Sequence, residues 1–213
     1  MNEDNITGFN SALVKKNIEE FKQSTFLVNQ KLTEAFDYLF DELSNAWNSP
    51  KAHEFFSEYR IKIKSLQNEF EENVIWIVRN ALRAYNSMLE AHGGDRIFVD
   101  ININYDKEYT YHLSDTGIIG MKIKEVRNNI LPSFNKMINN ACSEFDNVPT
   151  SIALYDSDNG QKYAYETNVK EIKKKIQSFC ESIRKEIENA LETEMDIVGE
   201  TKNKVMKVLE FEE

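Results

Sequence analysis

The residue types that carry most protein chemistry are sparse in this sequence and poorly placed for it. The three histidines, His53, His92 and His112, never fall four residues apart, the spacing at which one helix face offers two metal ligands. The Glu-x-x-His pair of di-iron helical bundles does not occur. Neither does a P-loop, a dinucleotide fingerprint or a nucleophile elbow. We therefore expect no catalytic, cofactor or metal site, and no enzymatic activity.

The two cysteines, Cys142 and Cys180, are too few for a disulfide scaffold and are typical of a reducing compartment. Each follows an apolar residue of a helical pattern. In a helical hairpin that turns near residue 158, facing residues have numbers that sum to about 316, whereas these two sum to 322, so a bridge would be out of register. We expect two reduced thiols that pack in a core.

Composition narrows the class of protein and of partner. Of 213 residues, 41% are hydrophobic and only ten are Pro or Gly, which favours a globular, mainly helical chain. A net charge of -10 argues against nucleic acid or an anionic membrane surface as partner. The first residues, MNEDNITGFNSALVKK, lack the basic and apolar regions of a Sec signal, and no run approaches the roughly 20 apolar residues of a membrane span. We expect no membrane insertion.

Two long helices are predicted in the first half of the chain. Apolar residues recur three or four positions apart from Val14 to Ala46, and again from Ala52 to Met88. The pattern predicts helices over 11–47 and 50–92, the second ended by the glycines at 93 and 94. Because about three residues join them, the helices should fold back antiparallel.

The linker changes period from helical to alternating. Apolar and polar residues alternate from Ile97 to Ile103, and again from Tyr109 to Leu113 after Asp106-Lys107. This pattern predicts a β-hairpin within 95–116. A two-stranded ribbon is only marginally stable alone, so we expect its apolar face to lie on the helices.

The second half repeats the helical pattern. It predicts helices over 118–155 and from 161 to beyond 197, with a turn at 156–160. Pro132 and Pro149 should kink or interrupt the first of these. An offset of 109 residues places Val14 on Ile123 and carries the pattern through both helices and the turn, which favours a duplication over a chance coincidence of heptad-like segments.

The expected fold is mainly all-α. We predict an antiparallel four-helix bundle made of two long helical hairpins, with a short β-hairpin in the linker. The predicted units are the first hairpin (1–92), the linker (93–116) and the second hairpin with its tail (117–213).

The first corner, AWNSPKAHEFF over 46–56, carries the most specific motif. Trp47-Asn48-Ser49 closes the first helix, and the next helix opens with Pro50 and continues through Ala52, Phe55 and Phe56. This corner resembles that of the Trp-x-Gly (WXG) helical-hairpin family secreted through type VII systems. Ser49 stands where Gly is usual and Pro50 follows it, but Ser or Asn is a good cap and Pro a good first helical residue. The second half lacks the Trp.

The resemblance implies a built-in dimer, because members of this family pair as antiparallel hairpins. It also implies export in the folded state without a Sec signal. The implied partner-binding residues are Trp47, Ser49, Pro50, Phe55 and Phe56, although a large aromatic that closes a bundle end is the structural alternative for Trp47. Family substrates often carry a Tyr-x-x-x-Asp/Glu export signal after the hairpin. Tyr111 and Asp115 match its spacing but lie between the hairpins.

Three functional hypotheses follow. The first is a non-enzymatic, type VII secretion-associated protein, a fused WXG-like pseudo-dimer that is either a secreted substrate or an adaptor or chaperone-like partner of an exported protein. Its partner would be a toxin, a sibling WXG-like protein or the secretion ATPase, with self-association possible, and it would be secreted without a Sec signal or cytoplasmic before export. The second is an intracellular acidic helical adaptor or immunity-type protein that binds a basic partner. The third is a coiled-coil structural component.

Overall fold

The computed structural model describes residues 9–105, 107–113, 119–154 and 162–210. Within these residues the chain is mainly helical, with two short pairs of antiparallel strands. Several features of the sequence analysis lie outside the described residues, among them Asp115, Asp106, the predicted turn at 156–160 and the predicted helix ends at 118, 155 and 161.

The first helical hairpin is confirmed. Helix α1 (Ser11–Ala46) begins at Asn10, whose side-chain oxygen accepts the Leu13 amide at 3.0 Å. Helix α2 (Pro50–Ala91) ends where Gly93 takes a φ of 72° and the Gly94 amide donates to the Leu89 carbonyl at 2.9 Å.

Aromatic contacts at both ends of this hairpin show that α1 and α2 are antiparallel. The rings of Phe40 and Phe56 lie 5.2 Å apart near the corner, and those of Phe9 and Tyr85 lie 6.2 Å apart at the far end.

The predicted β-hairpin in the linker is wrong. The described residues of 95–113 form no strand pair, and instead run as one extended segment, the strap (95–105 and 107–113), along the groove between α1 and α2. At its start the Ile97 amide donates to the Asn86 side chain at 2.9 Å, and near its end the Tyr111 and Ser57 hydroxyls lie 2.9 Å apart. From Ile97 onward its odd-numbered residues are buried or half-buried against the helices and its even-numbered described residues are exposed.

The reason for an extended strap is distance. From Asn86 to Ser57, α2 covers 29 residues, or roughly 44 Å at about 1.5 Å each. The 14 residues from Ile97 to Tyr111 cover roughly 46 Å at about 3.3 Å each. An extended chain therefore matches the helix it follows, and its period of two reflects one face on the helices rather than a second strand.

The third helical segment is shorter and less regular than predicted. It consists of α3 (Ile123–Glu125), a π turn (Val126–Ile130), α4 (Leu131–Glu144) and a 3-10 turn (Phe145–Asn147). The π turn ends two residues before Pro132, and the Leu131 amide donates to the carbonyl of Val126, five residues back. This local widening accommodates a ring that would clash with the carbonyl four residues earlier.

The predicted continuation to residue 155 is wrong, because the helical segment has ended before Pro149. Strand β3 (Ser151–Ala153) follows and pairs antiparallel with β4 (Lys162–Ala164). Ile152, predicted on a helix, is fully buried in β3. Proline removes a donor and biases the residue before it toward extended backbone, so the break falls here.

The last helix, α5 (Glu166–Glu210), begins five residues later than the predicted 161. Because the helix ends at the second corner do not follow the offset of 109, the duplication stays a prediction.

The helices share one core, in which α4 runs antiparallel to α1 with Phe134 6.1 Å from Phe36. Helix α5 runs antiparallel to α2, with Lys175 paired to Glu69 and Phe179 near Tyr59. The predicted division into 1–92, 93–116 and 117–213 stays a prediction.

The strap generates a prediction about Tyr105, which is 4% exposed. Thr25 donates its hydroxyl hydrogen to the Lys22 carbonyl at 2.9 Å, so the Tyr105 hydroxyl, 2.6 Å away, donates to Thr25. Burial raises the pKa of Tyr105 to about 12. The neutral phenol thus contributes stability that is complete below pH about 10 and is lost as the pH rises from about 10 to about 12.

We expect Tyr105→Phe to lower the free energy of unfolding by about 1 kcal/mol at pH 7 through the lost hydrogen bond. Between pH 9 and pH 11 the variant should lose less stability than the parent chain, because one ionisation has been removed. Urea unfolding at both pH values checks this. Tyr111→Phe, which removes another strap hydroxyl, the one that lies 2.9 Å from the Ser57 hydroxyl at the surface, is the control and should retain the parent's alkaline loss.

Candidate functional site

The corner between α1 and α2 is fixed by backbone pairing to the residues that follow the strap. Strand β1 (Trp47–Asn48) pairs antiparallel with β2 (Gly120–Met121), and the Lys122 amide donates to the Ala46 carbonyl at 2.7 Å. Gly120 takes a φ of 114°, a backbone conformation that other residues rarely adopt. The start of the third helical segment is thereby held at the same end of the molecule as the Trp47 corner.

Trp47 also connects the corner to α5. Its indole is 1% exposed and packs against the rings of Phe55 and Phe56. Its ring N–H donates to Glu194 Oε1 at 3.2 Å, and Glu194 on α5 is itself 9% exposed. A carboxylate this buried is costly unless it is hydrogen-bonded, so Trp47 supplies a donor that Glu194 needs.

The structure places the five predicted partner-binding residues in two groups. Trp47, Phe55 and Phe56 are buried, so in this conformation they shape the corner from inside. Pro50 is exposed and Ser49 half-exposed, and Ser49 caps α2 by accepting the Ala52 amide at 3.3 Å. Direct contact of these five residues with a partner stays a prediction.

Of the two residues that define the predicted export signal, the structure describes only Tyr111. Tyr111 is half-buried in the strap, and its ring stacks on that of Phe56 at 4.8 Å. Asp115 lies outside the described residues, so the signal stays a prediction.

An apolar groove of about 910 Å³ opens beside the corner. We call it the corner groove. One wall comes from the corner and the chain after the strap, where Ile119 is 91% exposed. The other wall is α5. The main lining residues are Ser49, Pro50, Ile119, Met121, Ile123, Ile197, Val198, Val205 and Met206.

The second wall belongs to a part of α5 that extends past the corner. Because Glu194 lies against Trp47, residues 195–209, which we call the overhang, continue beyond it by roughly 22 Å at about 1.5 Å per residue. Every side chain of the overhang is exposed. Val198, Val205 and Leu209 nevertheless continue the helix face that buries Ile187 and Leu191 lower down.

Sequence reasoning predicted a helix beyond residue 197 but missed that its end is uncovered. The apolar spacing is the same on both sides of Glu194, so the pattern gives no sign of where the covering helices stop. The available signal was length, since α5 has 45 residues and α1 has 36.

The metal-ligand side chains of the described residues are scattered. Those residues contain no group of three or more His, Cys, Asp or Glu side chains placed to hold a metal ion. Cys142 and Cys180 are buried free thiols, as predicted. Burial raises the pKa of both, so neither is a ready thiolate near neutral pH. Among the described helices, none has the length and apolar character needed to cross a membrane.

Comparison with protein-family models, with curated proteins and with solved structures finds no match to this chain. The resemblance to the WXG hairpin family therefore rests on the corner and the helical pattern, and stays a prediction.

The corner generates a prediction about Trp47. We expect Trp47→Phe to preserve most of the ring packing but to leave the Glu194 carboxylate without its indole donor. The free energy of unfolding should fall by about 1.5 to 3 kcal/mol, the range for hydrogen bonds to charged groups. Urea unfolding followed by circular dichroism measures it. Trp76→Phe, at a tryptophan that is 49% exposed, should change stability by less than about 0.5 kcal/mol.

A second variant separates the hydrogen bond from the packing. Trp47→Phe combined with Glu194→Met removes both polar partners, so the double variant should be more stable than Trp47→Phe alone. If the double variant is less stable than Trp47→Phe, the indole does not serve the buried carboxylate and the packing of the ring accounts for its effect.

Proposed function

We propose that this chain is a non-enzymatic, type VII secretion-associated protein that binds a helical protein partner. In this proposal, two WXG-like hairpins are fused into an antiparallel four-helix bundle and act as a pseudo-dimer. The Trp47 corner supports the resemblance to that family, since Ser49 caps α2 there and Pro50 begins it. The protein would then be either a secreted substrate or an adaptor for an exported protein.

The observation that carries the proposal is the uncovered apolar surface of the corner groove and the overhang. Val198 is 61% exposed, Val205 52% and Leu209 54%, all on one helix face. Contiguous apolar surface of this kind marks interaction sites, since isolated exposed residues would not share a face. The rest of that face is covered by the helices of the chain's own core.

The shape of this surface fits a partner helix. An overhang of roughly 22 Å offers about four helical turns, and the corner supplies the opposite wall of the groove. An amphipathic partner helix placed there would contact the groove through side chains three and four positions apart, which is the usual pattern of helix-in-groove binding. The charged lining residues are two lysines, Lys51 and Lys202, and one glutamate, Glu194, and the excess of lysines would favour a partner helix with acidic flanks.

The intracellular adaptor or immunity-type protein is the alternative, and the net charge of -10 favours it. Its partner would be basic and would bind through the acidic surface as a whole. Because exposed charges are screened over about 10 Å at 0.1 M salt, such binding should weaken steeply as salt is added. Binding in an apolar groove should weaken much less.

Export tests the proposal directly. We expect a tagged form of the chain to accumulate in culture supernatant, or to co-purify with an exported protein, only when the type VII secretion ATPase is active. An ATPase-deficient strain is the control. If neither result occurs, and a salt-sensitive complex with a basic protein is recovered instead, the alternative is correct.

Charged substitutions test the surface itself. We expect Val198→Glu combined with Val205→Glu to weaken the co-purified complex at least about tenfold, because two carboxylates would be desolvated in an apolar interface. Ile61→Glu, at a residue of α2 that is 64% exposed and outside the groove, is the matched control and should bind as the parent does. Both variants should unfold at the parent's urea midpoint, because all three positions are exposed. Equal weakening by both variants would contradict a role for the corner groove.

A further inference from the structure

A second surface lies at the opposite end of the molecule, where the strap begins to follow α2. Here α2 and the strap enclose a cavity of about 430 Å³, which we call the arginine cleft. Its walls include Arg79, Leu82, Arg83, Glu90, Arg96 and Phe98. The Asn86 side chain makes two hydrogen bonds to the strap. It accepts the Ile97 amide at 2.9 Å and donates to the Ile97 carbonyl at 3.0 Å.

The charge of the cleft is opposite to that of the chain. Three guanidinium groups line it against one carboxylate, in a protein with a net charge of -10. Arg96 is paired with Glu90. Arg79 and Arg83 are exposed and lie one turn apart, and neither guanidinium has a hydrogen-bond or ion-pair partner in the part of the chain that the structure describes. Two like charges four residues apart repel each other, so an anion between them would stabilise the pair.

Apolar groups adjoin these arginines. Phe98 is 83% exposed although it lines the cleft, and half-buried Leu82 and Ile97 lie beside it. Trp76, three residues before Arg79 on the same helix face, is 49% exposed. Exposed Trp, Phe and Arg together have the composition of protein-binding hot spots. In such sites the arginine binds a carboxylate of the partner, and the aromatic ring packs against an apolar group of the partner and removes it from water.

We propose that the arginine cleft binds an acidic peptide segment of a partner protein. Arg79 and Arg83 would each donate to a carboxylate in the paired geometry that guanidinium favours. An apolar side chain next to those carboxylates would rest on Phe98. The cleft lies roughly 44 to 50 Å from Pro50 along α2, so it can be occupied while the corner groove is occupied. The chain would then bridge two segments of its partners, one at each end.

A labelled peptide tests this inference with the full chain. The probe is a fluorescein-labelled peptide of alternating glutamate and leucine, followed by fluorescence anisotropy at low salt. We expect Arg83→Ala to weaken binding about tenfold, as expected for a charge-assisted contact in a hot spot. Arg60→Ala removes the same charge from an exposed position of α2 nearer the corner, and should weaken binding less than about twofold.

The apolar part is tested in the same way. Phe98→Ser should weaken binding by about tenfold, whereas Phe26→Ser, at an exposed phenylalanine outside the cleft, should not. Full displacement by millimolar phosphate, with no effect of Phe98→Ser, would identify a simple anion site and overturn the peptide assignment. Equal weakening by Arg60→Ala and Arg83→Ala, or no binding of the acidic peptide, would overturn the site altogether. Val198→Glu combined with Val205→Glu should leave this binding unchanged, so the outcome is independent of the corner groove.

Discussion

The architecture depends on one constraint: the third helical segment begins at the end of the molecule where the first corner lies. Since α2 finishes at the far end, the linker must return along the whole hairpin before α3 can start. Only an extended chain covers that distance with the residues available, because a helix of the same length would reach less than half as far. The strap is the result, and its buried tyrosines and its contacts with both helices follow from the path it has to take.

The same path explains why the two ends of the molecule differ. At the corner, the chain arriving from the strap pairs with β1 and closes over Trp47, whose indole holds α5 through Glu194. Beyond that point no other helix of the described residues packs on α5, and its apolar face is exposed. At the far end, the beginning of the strap turns α2 into one wall of a cleft and brings Arg96 and Phe98 beside Arg79 and Arg83. Both candidate binding surfaces thus follow from the path that the strap takes between the two ends of the molecule.

Much of the fold could be predicted from sequence, and the failures have identifiable physical causes. The three-and-four spacing and the cap at Ser49 located α1 and α2 closely, because long helices leave many periodic residues. The alternation in the strap identified the buried face but not the partner, since a strand and a lone extended chain on helices share a period of two. Ile152 fitted the helical spacing by coincidence, and Pro149 decided the local structure. The binding surfaces could not be predicted. An apolar stripe has the same spacing whether or not another element covers it, and the spacing of two arginines does not show which residues will lie beside them.

The strap also bears on the order in which the chain assembles during synthesis. The helix partners of seven strap residues lie on α1 or α2, namely those of Arg96, Ile97, Asp100, Tyr105, Lys107, Glu108 and Tyr111. These contacts can therefore form while the ribosome is still making the rest of the chain, whereas the pairing of β1 with β2 and the hydrogen bond from Trp47 to Glu194 must wait for later residues. Two consequences follow. A nascent chain would expose the core face that later receives α4 and α5, and these helices would pack on α1 and α2 after the strap has covered the groove on the other side. A second molecule could exchange its α4 and α5 with such a chain while those helices are undocked, so exchange of helices between chains would be easiest during synthesis, before they pack on the core.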